Sequence, residues 1–196
     1  MSTRPDHRCL HWAASGQHGY FTSAQAQDCG FSRSLLSHQT KSDRYIRVRR
    51  GLYRLRDYPS FHREDVVIPW LALGKDSAVV SHESALDLLE LSDVIPRAVH
   101  LTIPRSKRNL PKIPGTTIHT TSRPFGALDI VVRDGIRLTS GARTILDSAE
   151  WGTAPEQIEM AIQQAIARGL TTRTQLVRDA SDRSQRVQEL VASALR

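Results

Sequence analysis

The stretch Thr22-Ser-Ala-Gln-Ala-Gln-Asp-Cys-Gly-Phe-Ser-Arg-Ser-Leu-Leu-Ser-His-Gln-Thr-Lys-Ser42 holds two helix starts and one helix stop. Thr22 and Gln25 have the spacing of a capping box, in which the hydroxyl and the amide each satisfy a free backbone N–H at a helix start. Gly30 suits the left-handed position that ends such a helix, and Ser32 is placed to cap another two residues later. Two short helices joined by so tight a turn predict a helix-turn-helix. In the second of them, about Ser32 to Ser42, Leu35 and Leu36 turn inward. Arg33, Ser34, Ser37, His38 and Lys41 make a compact, polar and cationic outer face.

Downstream runs Arg44-Tyr-Ile-Arg-Val-Arg-Arg-Gly-Leu-Tyr-Arg-Leu-Arg56. Ile46 and Val48 alternate with Arg47 and Arg49, and Tyr53 and Leu55 with Arg54 and Arg56. This period of two predicts a hairpin turning near Arg50-Gly51, with one apolar face on the helices and one arginine face. Upstream, Cys9, Leu10, Trp12 and Ala13 predict a helix from about Asp6 to Ser15, and Tyr20-Phe21 a short strand. A winged helix-turn-helix over residues 1–58 is the expectation.

Asp57 to Ser60 reads as the boundary, because the charge pattern changes there and Pro59 stops the strand. A second domain, 61–196, is expected to be mixed α/β and to end in several helices, so that the whole chain is of the α+β class. His62 to Leu73 and His82 to Leu91 read as helices. Val99 to Ile103, Thr116 to Thr121 and Leu128 to Val132 read as strands. Three later stretches have helical spacing: Ala142 to Ala149, Ile158 to Ile166 behind a Thr153/Glu156 capping box, and Val187 to Leu195. A further helix begins at Thr172 and Gln175.

Charge separates the two parts. Residues 1–60 hold ten Lys/Arg against four Asp/Glu, whereas residues 61–196 hold seventeen against sixteen, so nearly all of the net +7 lies in the first third. A concentrated basic charge invites a polyanionic partner. No stretch reaches the roughly 20 apolar residues that span a bilayer, and the first twenty lack the apolar core of a secretory signal, so a cytoplasmic protein with no membrane partner is expected. Cys9 and Cys29 are too few for a disulfide framework and lack zinc-ligand spacing, and both read as small core residues.

A helix entering the major groove reads base edges, while arginines on a flanking hairpin meet phosphates. Arg33, Ser34, Ser37 and His38 are therefore the base-reading candidates. Arg47, Arg49, Arg50, Arg54 and Arg56 are the backbone clamps, supported by Lys41 and Arg44. Arg105, Lys107, Arg108 and Lys112 form a basic loop between prolines that could touch nucleic acid or an acidic partner, or be merely solvated. Enzymatic signals are absent, and neither catalytic residues nor a cofactor are expected. Ser81-His82-Glu83 has no nucleophile elbow and its serine reads as a helix cap. Asp129, Asp134, Asp147 and Glu150 are scattered rather than clustered around a metal ion. His7 and His11 lie one helical turn apart but lack further ligands, so no metal is expected. Arg143 should pair with Asp147 along one helix.

Gly19-Tyr-Phe-Thr-Ser-Ala-Gln-Ala26, Gly30-Phe-Ser32 and Tyr45-Ile-Arg-Val-Arg-Arg-Gly-Leu-Tyr-Arg-Leu55 together resemble the N-terminal antitoxin domain of the AbiEi family. Ser81-His-Glu-Ser-Ala-Leu86, Val99-His-Leu-Thr-Ile-Pro104 and Leu138-Thr-Ser-Gly-Ala-Arg-Thr-Ile-Leu-Asp147 resemble its C-terminal part. The resemblance implies the antitoxin of a type IV toxin–antitoxin operon. Its winged domain would repress the operon by binding inverted repeats in double-stranded promoter DNA. Its C-terminal domain would counteract a cognate nucleotidyltransferase toxin, with or without direct contact. The alternative is a stand-alone winged-helix transcription regulator whose second domain senses a ligand or dimerises.

Overall fold

A computed structural model describes residues 4–110 and 112–196. The chain is α+β and divides into two compact units, residues 1–75 and 76–196.

The first unit runs α1 (His7–Ser15), β1 (Tyr20–Thr22), α2 (Ser23–Asp28), α3 (Arg33–Lys41), β2 (Tyr45–Arg49), β3 (Leu52–Leu55) and α4 (Glu64–Leu73). Its strands form an antiparallel sheet in the order β1-β3-β2. The expected local signals are all present. Asp6 caps α1, Thr22 and Gln25 make a reciprocal capping box on α2, and the Ser32 hydroxyl accepts from the Leu35 N–H at 3.1 Å. Gly30 takes φ +84°, which lets Phe31 N–H bond the Ala26 carbonyl at 2.9 Å and swing α3 across α2. The core joins Leu10, Ala14, Phe21, Ala26, Phe31, Leu36 and Tyr45, with Leu35, Tyr53 and Leu55 packed on it.

The expectations for this unit's boundary and for its cysteines both fail. The boundary lies at Lys75/Asp76 rather than between residues 58 and 61, because the segment after β3 is bound to the first sheet. The Tyr58 ring lies where a Cβ on Gly19 would stand, 2.4 Å from it, and its hydroxyl donates to the Ser15 carbonyl at 3.2 Å. His18 stacks on Phe61 with ring centres 3.7 Å apart, and α4 packs against β1 and β3. Pro59 ends the strand without ending the unit.

The second correction concerns Cys9 and Cys29, which are not separate core residues. They form a disulfide, with Cα atoms 5.7 Å apart, Cys29 buried and Cys9 exposed. The start of α1 lies along the end of α2, where Asp6 N–H bonds the Cys29 carbonyl at 2.9 Å and brings the two side chains together.

The second unit runs β4 (Val79–Val80), α5 (His82–Leu89), β5 (Val99–Pro104), β6 (Thr116–Thr121), β7 (Ile130–Arg133), β8 (Ile136–Thr139), α6 (Gly141–Trp151), α7 (Pro155–Ala167), α8 (Arg173–Ala180) and α9 (Gln185–Ala194). Its mixed sheet has the order β6-β5-β4-β8-β7. The apolar stripes read from the sequence are the buried ones: Ala142, Ile145, Leu146 and Ala149 on α6, and Ile158, Ala161, Ile162 and Ala165 on α7.

Arg143 pairs with Asp147 as expected, Nε to Oδ2 at 2.8 Å, and the same buried carboxylate also takes Arg183 at 2.7 Å. Two expected caps are instead spent elsewhere. Pro155 opens α7 with no side-chain cap, while Thr153 donates to Glu83 at 3.0 Å. The Ser81 hydroxyl does not cap α5; it sits between Thr102 Oγ1 at 2.7 Å and His82 Nδ1 at 2.9 Å.

Two outcomes test this description. A fragment of residues 1–75 should unfold cooperatively in urea. One ending at Ser60 should be several kcal/mol less stable, since it exposes the apolar surface that α4 covers (~2 kcal/mol per large side chain). Unreduced protein should show no titratable thiol when denatured, and reduction should cost the first unit about 3 kcal/mol, the loop-closure value for a 20-residue separation.

Candidate nucleic-acid interface

Helix α3 buries Leu36 and Gln39 and leaves Arg33, Ser34, Ser37, His38 and Lys41 exposed. Their positions i, i+1, i+4, i+5 and i+8 form one continuous stripe along the helix. The Ser34 hydroxyl lies 2.9 Å from that of Ser32, so the first turn presents two hydroxyls beside the Arg33 side chain. The stripe carries no acidic residue.

The β2–β3 hairpin departs from the simple alternation. Tyr45 pairs with Leu55, Ile46 with Arg54 and Arg47 with Tyr53, and a bulge then shifts the register so that Arg49 faces Leu52. The face packed on the helical core is therefore built from Tyr45, Tyr53 and Leu55, not from Ile46 and Val48, while Leu52 is buried on the opposite face, which it shares with Arg54. The bulge supplies the extra residue that reverses the faces, and a single inserted residue is enough because side chains alternate with a period of two. Gly51, at φ +78°, makes the turn, and its carbonyl accepts from Ser23 N–H at 2.9 Å, which ties the hairpin end to the start of α2.

The arginines divide into two groups as a result. Arg54 is not an outward clamp: its side chain is 14% exposed, donates to the Tyr58 carbonyl at 2.7 Å and lies 3.5 Å from Glu64 Oε1. Its guanidinium also sits over the Tyr20 ring, whose hydroxyl burial and Glu64 push up to about 12. Arg56 is exposed but is pinned to Asp43 by an ion pair and a bond to its carbonyl. Arg33, Lys41, Arg44, Arg47, Arg49 and Arg50 have no side-chain hydrogen bond or ion pair among the described residues, and all but the half-buried Arg49 are exposed. Arg33 and Lys41 belong to the α3 stripe, and the other four follow it in sequence.

In the other unit, Arg105, Lys107, Arg108 and Lys112 are all exposed on the β5–β6 connection, with Lys107 donating to Ser77; Pro111 lies outside the described residues. Among the described residues His7 and His11 join no cluster of three metal-ligating groups, but a histidine set that the sequence reading does not contain is present. His82, His100 and His119 bring one ligating atom each within 4.8 Å of one another. Register explains the last two: His119 on β6 pairs with Thr102, two residues beyond His100 on the parallel strand β5, so both rings share one sheet face. Burial lowers all three imidazoles from the ordinary histidine value, His82 to about 2 and His119 to about 4, with the neighbouring rings adding to both shifts and Glu83 opposing that of His100. The signal available in the sequence was the β-strand placement of two histidines, which says nothing of register.

Comparison with known proteins agrees with the first unit's architecture. Residues 12–56 match the family described as transcriptional regulator, AbiEi antitoxin. That span contains α2, α3 and the hairpin, and with them the three N-terminal motifs on which the resemblance rests. A crystal structure of RV2827C protein from Mycobacterium tuberculosis shares the fold. Its TM-score is 0.60 at 15% identity, over 97% of this chain and 78% of that one. No curated protein matches the chain in sequence. Among the described residues no helix is long and apolar enough to cross a membrane.

The division of the arginines is testable by stability. Arg54→Ala should cost about 2 kcal/mol in a urea melt, because it leaves Glu64 and the Tyr58 carbonyl without their partner. Arg50→Ala should change stability by no more than about 0.5 kcal/mol.

Proposed function

We propose that this protein is an antitoxin and autorepressor whose first unit is a winged helix-turn-helix binding double-stranded promoter DNA at inverted repeats. The observation that carries the reading is the α3 stripe of exposed polar and cationic residues flanked by partner-free cations. Arg33, Ser34, Ser37 and His38 meet base edges, and Lys41, Arg44, Arg47, Arg49 and Arg50 meet phosphates. Arg54, largely buried, and Arg56, exposed but paired with Asp43, hold α4 and the α3–β2 turn in place. The family match at residues 12–56 supports the transcriptional role. The second unit counteracts a nucleotidyltransferase toxin, on the strength of the family resemblance. Neither activity requires chemistry, so no cofactor or catalytic residue takes part, and the cytoplasm is the place of action.

A second reading, a stand-alone regulator whose second unit senses a ligand, draws on a polar cavity of about 380 Å³ bounded by His82, His119 and Trp151. The two readings differ in whether the full chain rescues cells from the toxin encoded beside it.

Four to six phosphate contacts should make log K fall with log salt at a slope of roughly −4 to −5 in mobility-shift titrations. Arg49→Ala with Arg50→Ala should weaken binding to all duplexes and abolish reporter repression while leaving rescue from the toxin intact. Ser37→Ala should mainly reduce the preference for promoter over scrambled DNA. A flat salt response, or loss of rescue in the folded double variant, contradicts the proposal.

A further inference from the structure

The chain has eight histidines, and the three that follow residue 75, His82, His100 and His119, meet at one point. They arrive from the β4–α5 junction, from β5 and from β6, separated by long stretches of sequence. His82 stacks on His119 with ring centres 3.5 Å apart, and His100 Nδ1 lies 3.0 Å from His119 Nε2. We propose that these three imidazoles form a binding site for a single divalent late transition metal ion such as Zn²⁺, with the fourth coordination position open to the adjoining cavity.

Two of the rings have outer partners of the kind that orient a ligand. His82 Nδ1 is engaged by the Ser81 hydroxyl, itself fixed by Thr102, so Nε2 is the nitrogen left free. His100 Nε2 faces the Glu83 carboxylate at 4.0 Å, and that carboxylate is held in turn by Thr153. This directs the His100 proton to Nε2 and the Nδ1 lone pair toward His119. Metal-binding histidines characteristically have such outer partners, which set tautomer and ring orientation.

His82 also holds φ at +51°, a backbone region that non-glycine residues seldom occupy and that clusters at functional sites. Without an ion, the contact between His100 and His119 satisfies one lone pair and forces the other ring to supply the proton. An ion would use the lone pairs of all three rings. Ligand nitrogens about 2.0–2.1 Å from a tetrahedral ion stand roughly 3.3 Å apart, and because an imidazole lone pair lies in the plane of its ring, binding tilts the His82 and His119 rings out of their stack. Three neutral imidazoles with no carboxylate in the set favour zinc-like ions over Mg²⁺ or Ca²⁺, which take oxygen ligands. On the open side the cavity is bounded by Trp151, Thr120, Ser122, Arg143 and Arg183, which leaves room for water or a small anion.

The assignment does not depend on the DNA-binding reading. Full-length protein stripped with chelator should bind one Zn²⁺ per chain in calorimetric titration at neutral pH, and Mg²⁺ should give no heat. Co²⁺ should produce the intense visible bands of tetrahedral coordination, without the charge-transfer band of a thiolate ligand. His119→Ala, at a half-buried position on the edge strand, should weaken Zn²⁺ binding by more than the roughly 100-fold that marks the upper end for loss of an outer partner, as removal of a direct ligand requires. His7→Ala with His11→Ala should leave it unchanged.

Absence of Zn²⁺ binding up to about 0.1 mM overturns the proposal. So does a thiolate band, or undiminished binding in the His119 variant. Should that variant fail to fold, the cobalt spectrum of the wild-type chain decides alone: tetrahedral nitrogen coordination supports the site, and its absence overturns it.

Discussion

The packing of Phe21, Phe31, Leu36 and Tyr45 into one apolar cluster is the constraint on which the first unit depends. Phe21 meets Tyr45 edge-on at 5.1 Å and stacks on Tyr53 at 5.7 Å, joining the three strands, and Phe31 in the α2–α3 turn meets Tyr45 at 6.3 Å. Burying Leu36 on that cluster fixes the rotation of α3 about its own axis. A helix face opposite the buried one has no choice but to meet solvent, and on α3 that face is Arg33, Ser34, Ser37, His38 and Lys41. The positions of the candidate DNA-reading residues are thus a consequence of core packing, and they stay fixed as long as the core does.

The same cluster separates structural from available cations. With Tyr53 and Leu55 turned onto the core, Arg54 must leave the sheet on the side of β3 where Glu64 and Tyr58 lie. An arginine in that place is a desolvated, hydrogen-bonded strut, and its charge is largely neutralised by Glu64. The cations that remain uncommitted lie in α3, in the turn after it and at the hairpin end, and the acidic residues near them are few. The positive excess of the sequence therefore lies in one stretch of the first unit, residues 33–50.

How much of this was legible depends on the range of the interaction. The capping box at Thr22, the glycine stop at Gly30, the Ser32 cap and the Arg143–Asp147 pair involve residues within five positions of each other, and reading them needed no tertiary information. The hairpin was legible as a hairpin, but its faces were not, because a bulge between Arg47 and Arg49 reverses the alternation and leaves no mark in composition. The boundary was misplaced because Pro59 ends a strand while Tyr58, packed on Gly19, keeps the chain on the same unit. The disulfide between Cys9 and Cys29 and the meeting of His82, His100 and His119 are set by helix packing and strand register. Neither is written in local spacing.

The account rests on one face of the first unit meeting DNA, and an amide NMR titration of the full chain with its promoter duplex reads that face directly. The largest shifts should fall on residues 33–41 and 47–52, with the α4 region and the second unit little changed. Shifts centred on residues 99–121 with α3 unperturbed would contradict it.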